Sequence, residues 1–380
     1  LFQEACYHTS ISGWPGNGKS GKTDYNFEWD PAIYDSFDWA DREEGQPFFH
    51  QVQTPGGKLR GKDESGWEKV CSAAENAFGS RTSGSDVKLP PYYPNHPDIV
   101  RDWAAYLDSV RMTDLMVGEV LARLEKEGLL DNTLVLFMTD HGISHARGKQ
   151  FLYDEGLHVP LVIAGPGIEP GTVREDLVEH IDITALSLGA AGIPIPDHMQ
   201  ARDILAKDYT PREAVFAARD RCDETVDHLR SVRTKEFKYI RNFLPNRPYL
   251  QPCAYKDAKA ILIALREWHA AGKLDDAQEL IFREVRPIEE LYDVNADPHE
   301  LHNLAEDPAH ADQLAELRGR LDTWMAETND QGREPESEAM YGSDMDEYLK
   351  KFRSPKGDKA QLAIIEANIA LMKAWAAEGK

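Results

Sequence analysis

Three observations predict an α/β fold, with a mixed, mostly parallel sheet flanked by helices and a smaller C-terminal subdomain of antiparallel sheet plus helix. Residues 102–127 place Leu107, Val110, Leu115, Val120, Leu121 and Leu124 near a 3.6-residue period, the mark of a helix packed on one side. Residues 134–138 are an unbroken apolar run, as in strands covered on both sheet faces. Beyond residue 212, the segments 215–218, 229–233 and 237–243 read as short antiparallel strands. A chain of 380 residues accommodates this division, with units at 1–211 and 212–330 and a tail at 331–380.

In chain order, residues 1–5 read as the end of a helix running into a strand at 7–11. Residues 13–46, rich in Gly, Asp and aromatics, read as a long surface loop. A short buried strand at 47–52 is followed by the turn Thr54-Pro55-Gly56-Gly57, and 58–97 read as loop. Gly128 caps the helix at 102–127. Helix, strand at 134–138, loop and strand at 159–164 follow the grammar of a mixed or parallel sheet. Helices are predicted at about 255–271 and 309–327. In the tail, Leu362, Ile365, Ile369, Leu371 and Trp375 give 360–377 an apolar stripe, which docks on the body or on a second subunit. No internal repeat occurs.

Lys and Arg number 43 against 66 Asp and Glu, a net charge of −23. That balance argues against nucleic acid or an anionic membrane surface as partner, and an anionic ligand would need a local basic pocket. Cys6, Cys71, Cys222 and Cys253 include no Cys-x-x-Cys pair, which argues against structural zinc and permits zero to two disulfides. No apolar run reaches transmembrane length. The compartment stays open: periplasmic or secreted if a leader precedes Leu1, otherwise cytoplasmic.

The most informative stretch runs from Asp140-His141-Gly142 through Arg147-Gly148-Lys149 to Val159-Pro160. In open α/β sheets, ligands bind beyond the carboxyl ends of strands, where Asp140 and His141 fall. A carboxylate with an imidazole suits a hard or borderline divalent cation. Asp-His-Gly alone reads equally as a turn, with Gly at positive φ; the cations that follow favour a site. Gly16-Asn17-Gly18-Lys19-Ser20 lacks phosphate-loop spacing, and no strand leads into it.

Thr139-Asp140-His141-Gly142, Gly148-Lys149, Tyr153, Glu155-Gly156, Val159-Pro160 and Gly165-Pro166-Gly167 occur in that order. His180-Ile181-Asp182 and Ala191-Gly192-Ile193-Pro194 follow. Near the end come Glu290-Leu291-Tyr292-Asp293, Asp297-Pro298-His299-Glu300 and Asn303-Leu304. In order and spacing these segments resemble the sulfatase family of the alkaline-phosphatase-like superfamily, nearest its sulfoglucosamine-sulfohydrolase and heparan-sulfatase branch. The resemblance covers residues 1–330 and makes 1–211 the catalytic domain and 212–330 the C-terminal subdomain. It implies hydrolysis of sulfate esters or N-sulfates of a carbohydrate, through a formylglycine nucleophile and a divalent metal, usually Ca2+.

Such chemistry needs a nucleophile, cations on the non-bridging oxygens and an acid for the leaving oxygen. By resemblance, Asp140 and His141 match the family's late metal-binding pair, with His141 where Asn is common. Histidine there is shared with phosphodiesterases and phosphonate monoester hydrolases. Lys149 matches the late active-site cation. Lys22 matches a sulfate-binding lysine, with Asp24 in place of the family's His. Lys58 stands where the family supplies a catalytic His and can contact the anion, whereas His50 reads as structural. His145 and Arg147 either add positive potential for the substrate or sit as surface residues. Arg221 and Asp223 either read sugar hydroxyls and charges or form an ion-pair cluster.

None of the four cysteines has Pro two residues on and Arg four residues on, and no Ser-x-Pro-Ser-Arg occurs. Asp275-Asp276, the adjacent Asp pair, lies in a polar helical stretch. The resemblance therefore implies that the family's N-terminal segment, with the formylglycine, is absent, and that the chain alone is an inactive, poorly soluble sulfatase. The rival readings are a phosphodiester or phosphonate monoester hydrolase and a non-catalytic remnant. The expected partner is a small sulfated substrate, with oligomeric state open.

Overall fold

The computed structural model describes residues 1–14, 21–23 and 27–380, so Gly16 to Ser20 and Asp24 lie outside the described residues. The strands are β1 (His8–Gly13), β2 (Phe48–Gln53), β3 (Val135–Met138), β4 (Leu161–Ala164), β5 (Val215–Cys222), β6 (Thr225–Arg233), β7 (Phe237–Asn242) and β8 (Glu289–Asp293). Helices before β5 are α1 (Glu64–Phe78), α2 (Pro97–Lys126), the single turn α3 (Asp154–Leu157) and α4 (Asp182–Ala190). After β7 come α5 (Ala254–Asp257), α6 (Ala260–Ala270) and α7 (Asp276–Glu279), then α8 (Ala311–Glu327), α9 (Glu338–Arg353) and α10 (Lys359–Ala377).

Among the described residues the strands form a parallel pair β1–β2, an antiparallel pair β3–β4 and an antiparallel sheet β5-β6-β7-β8. The α/β class and the antiparallel C-terminal sheet agree with the sequence reading. The mostly parallel sheet is here two separate pairs, and β3 is half-exposed rather than covered on both faces. The 139–160 connection contains one helical turn and returns the chain antiparallel, Val135 opposite Ala164. A parallel partner would need a crossover across the sheet face.

Two helices escaped the sequence reading. The segment at 58–97 contains α1, with Asp63 accepting from the Gly66 amide at its start and Gly79 at φ 73° closing it. Its buried residues Trp67, Val70, Cys71 and Ala74 follow the i, i+3, i+4, i+7 spacing that could have announced it. In the tail, α9 starts on the Ser337 cap and buries Tyr341, Met345 and Leu349. In α2 the buried residues are Ile99, Asp102, Ala104, Ala105, Asp108, Ser109, Thr113, Met116 and Leu124, so of the expected stripe Leu124 is buried whereas Val110 is 46% exposed. Small and polar groups, not the leucine stripe, face α1. Residues 2–6 form turns rather than a helix end.

The C-terminal sheet is covered on both faces. On one, Val232, Tyr239 and Leu291 pack against Leu314, Leu317, Leu321 and Met325 of α8. On the other, Leu229, Ile240 and Tyr292 meet Ile261, Leu262 and Leu265 of α6 and Phe151 and Tyr153 of the β3–β4 connection. The tail helices dock on the chain's own body. Tyr341, Met345 and Met372 pack with Val226, and Leu349 and Ile365 with Ala254. Leu321→Ala, at a fully buried position, should cost about 2–5 kcal/mol. Urea unfolding is the measurement, with a lower midpoint at unchanged slope.

Candidate active site

The candidate site is the connection between β3 and β4, whose backbone folds on itself. The Gly142 amide donates to the Gly156 carbonyl at 2.9 Å, and Lys149 N–H to Ile143 O at 2.8 Å. A Cβ on Gly142 would lie 1.9 Å from the Glu155 carbonyl oxygen, and one on Gly148 2.1 Å from that of Ile143. Gly142 is therefore required for close approach, in place of the positive φ read from the sequence.

Asp140 is exposed at the end of β3, and His141 beside it is half-buried. The His141 Nδ1–H donates to the Gly142 carbonyl at 2.7 Å, which leaves Nε2 as the lone-pair nitrogen. That Nε2 is buried without a hydrogen-bond partner among the described residues, 3.7 Å from an Asp140 oxygen. Burial lowers the His141 pKa, and the charges of Lys149 and Lys58 add to the effect. A carboxylate, a neutral imidazole and two ammonium groups thus share one electrostatic neighbourhood. The Lys149 ammonium stands 5.1 Å from the Tyr255 ring centre. Lys58 is exposed on the turn after β2. Lys22 lies beside the end of β2, where the Gln53 side chain donates to its carbonyl at 2.9 Å. His50, in β2, is held by the Ser10 and Ser12 hydroxyls, as its structural reading expects.

Two expectations give way. His145 and Arg147 are buried and do not face a substrate. His145 Nε2–H donates to Asp102 at 2.5 Å, and the Arg60 guanidinium reaches the same carboxylate at 3.0 Å. Trp67 Nε1–H donates to the other Asp102 oxygen. Burial pushes the His145 pKa down to about 4, aided by the Arg60 charge. Burial alone would raise Asp102, but the His145 hydrogen bond and the neighbouring positive charges bring it to about 2. The pair is an ionised Asp102 with a neutral, donating His145. Arg147 donates to the carbonyls of His299 and Glu300 at 2.7 and 2.6 Å, its guanidinium over the Tyr153 ring. The Glu300 carboxylate accepts from the Asp154 amide at 2.7 Å and pairs with buried Lys238. The Asp-Pro-His-Glu motif thus fastens the site loop to the C-terminal sheet.

Arg221 pairs with Asp344 at 2.5 Å and Glu336 at 3.6 Å, joining β5 to the α9 segment, as in its ion-pair alternative. Asp223, at φ 50°, forms the β5–β6 hairpin turn.

The sequence reading missed Lys256, Lys259 and Arg60. The predicted helix at 255–271 is interrupted at Lys259, which is extended at φ −81° and ψ 134°. The break sends both ammonium groups onto loop carbonyls. Lys256 donates to His145 O at 2.9 Å and to Lys149 O. Lys259 donates to Ser144 O at 2.9 Å, which also accepts from Arg60 at 3.2 Å. Burial lowers Lys256 to about 7 and Lys259 to about 8. Separately, a concavity of about 2610 Å³ is lined by β4, residues 165–181 and α8, and Lys149 is not among its lining residues.

Among the described residues no three His, Cys, Asp or Glu gather as a metal site. Asp140 and His141 fit part of a ligand set, since an unpartnered buried imidazole nitrogen beside a carboxylate is the donor pair a divalent cation takes. The cysteines do not fit a formylglycine: Cys6 is exposed in the first turns, Cys71 is buried in α1, and Gln150 holds Cys222 and Cys253.

A carboxylate and an imidazole beyond a strand end, a following lysine and a C-terminal antiparallel sheet are arranged in the order of the sulfatase family. A family model described as sulfatase matches residues 2–193, and one described as N-sulphoglucosamine sulphohydrolase, C-terminal, matches 141–249. The chain belongs to the sulfatase family. An ulvan-active sulfatase of Formosa agariphila is 33% identical over 83% of this chain and 58% of its own length. N-sulphoglucosamine sulphohydrolase of Homo sapiens is 31% identical over 71% of this chain and 56% of its own length. The chain thus spans a little over half the length of these curated relatives. Among solved structures, BT4656 in complex with its substrate D-glucosamine-2-N,6-O-disulfate has TM-score 0.55 at 16% identity, over 88% of this chain and 83% of that one. BT1596, a 2-O GAG sulfatase, has TM-score 0.53 at 18% identity, over 90% and 76%. These likenesses show the alkaline-phosphatase-like fold.

Two outcomes are expected. Gly142→Ala forces the loop apart and should cost about 1–3 kcal/mol, measured by denaturant unfolding. His145 and His50, both held at about 4 in the fold against 6.5 when free, are protonated first in the unfolded chain. Stability therefore falls as pH drops from ~6.5 towards ~4, lost across that window and constant above it with respect to these groups. His145→Gln keeps a donor to Asp102 and should reduce the slope of stability against pH there by about one proton.

Proposed function

We propose that this chain serves hydrolysis of sulfate esters or N-sulfates on a carbohydrate, with Asp140 and His141 holding part of a divalent-metal site and Lys149 binding the sulfate. The observation that carries the reading is the single neighbourhood shared by Asp140, the unpartnered His141 Nε2, Lys149 and Lys58. Ammonium groups there oppose the charge of a sulfate's non-bridging oxygens, although the chain as a whole carries −23. A bound Ca2+ would supply Lewis-acid polarisation of the sulfate. The chain's own residues orient the anion: Tyr255 limits the swing of Lys149, and the Gly142–Gly156 contact fixes His141. The carbohydrate class is supported by the relatives, one named as ulvan-active and one for N-sulphoglucosamine, and by the sulfated glucosamine bound in BT4656.

The test is Ca2+-dependent release of sulfate from glucosamine N,O-disulfate and from ulvan oligosaccharides, beside an aryl phosphonate, by a protein that joins this chain to a sulfatase N-terminal segment carrying the formylglycine, since no cysteine of the chain fits that role. Sulfate release is expected, with Lys149→Ala reducing kcat/KM by about 10²–10³-fold. Faster turnover of the phosphonate would give the site to phosphonate monoester hydrolysis. Metal and inorganic sulfate that fail to bind, with no turnover of any of the three substrates, would make it non-catalytic.

A further inference from the structure

Away from the proposed sulfate site, the end of β5 meets the start of α5 through two thiols. Cys222 is the last residue of β5, and Cys253 is the residue on which α5 starts. One amide nitrogen reaches both: Gln150 Nε2–H donates to the Cys222 sulfur at 2.7 Å and to the Cys253 sulfur at 3.3 Å. Gln150 is held there at a left-handed φ of 86°, unusual for a residue with a Cβ, and Arg219 donates to its carbonyl. The backbone is thus constrained where the side chain spans the two sulfurs. Cys222 is half-buried and Cys253 is 2% exposed, so a reagent in solution meets Cys222 first. The hydrogen bond from Cys253 lowers the Cys222 thiol to about 6, and Gln150 adds to the effect, while Cys253 is raised. One sulfur is the nucleophile and the other the resolving thiol.

We propose that Cys222 and Cys253 are a redox modification site that closes to an intramolecular disulfide at the expense of a low-molecular-weight disulfide such as oxidised glutathione. The Cys222 thiolate attacks one glutathione sulfur, forming the mixed disulfide and releasing one glutathione thiolate, which takes up a proton. Cys253 loses its proton and attacks the Cys222 sulfur, and the second glutathione leaves as a thiol. Two protein thiols are oxidised, and two electrons and two protons end on two glutathiones. The new bond ties β5 to the turn that carries Lys256 onto the loop carbonyls, directly behind Lys149.

The test is mass mapping of the native full chain, non-reduced, after equilibration in graded glutathione redox buffers. A linked peptide pair holding Cys222 and Cys253 is expected, about 2 Da below the sum of the two thiol peptides, reversed by dithiothreitol. In C253S, which cannot resolve, glutathione should accumulate on Cys222; in C222S, Cys253 should stay unmodified in the folded protein. The proposal is overturned if Cys222 and Cys253 of the wild type remain thiols when exposed Cys6 is fully glutathionylated. It is overturned equally if wild-type Cys222 stops at the mixed disulfide.

Discussion

The site depends on buried cations that hold the backbone of the β3–β4 connection. A loop this enclosed presents carbonyl groups that water cannot reach and that no sheet partner takes. Arg60, Lys256 and Lys259 supply the missing donors at Ser144, His145 and Lys149. Arg147 leaves the loop in the opposite sense and takes the carbonyls of His299 and Glu300. Charges buried without partners would be very costly, and carbonyls buried without donors would cost a few kcal/mol each. Each satisfies the other, and the result fixes the Lys149 backbone from behind while its ammonium group lies over the Tyr255 ring.

This arrangement also reconciles a strongly acidic chain with the anionic ligand proposed for it. The cationic groups are concentrated around one loop, under low-dielectric cover, where their field is least screened. Asp102 offsets Arg60 within that cover, and Asp227 offsets Arg219 and Arg286 at 3.1 and 2.7 Å. Among the described residues at this loop, Lys149 and Lys58 form no ion pair within 4 Å.

Much of the architecture was legible in the sequence because local pattern governs it. The 3.6-residue period announced α2 and α10, and β5, β6 and β7 of the C-terminal sheet stood out by their composition, whereas β8 was legible only as a sequence motif and not as a strand. Asp140, His141 and Lys149 were legible because they follow a strand end in a set order. Lys256 and Lys259 were not, because nothing within the segment 254–270 distinguishes a lysine facing solvent from one drawn over 100 residues away onto a carbonyl. His145 and Arg147 misled for the same reason: a cation in a loop suggests a ligand until the fold supplies Asp102 or the carbonyls at 299 and 300. The α1 helix had its caps and its spacing in plain view, but its length in a Gly-, Ser- and Pro-rich neighbourhood favoured a loop.

The glycine contacts of the loop set a limit on how such a site diversifies. Gly142, Gly148 and Gly156 each press backbone against backbone, with a Cβ falling 1.9, 2.1 and 2.5 Å from a carbonyl oxygen. A knot with no room for side chains cannot be retuned residue by residue. New ligand preference on this scaffold must come from the surrounding rim, such as the turn carrying Lys58, while the knot is inherited whole. A library that randomises the rim and leaves the three glycines untouched would sample folded proteins; one that randomises the knot would mostly sample unfolded chains.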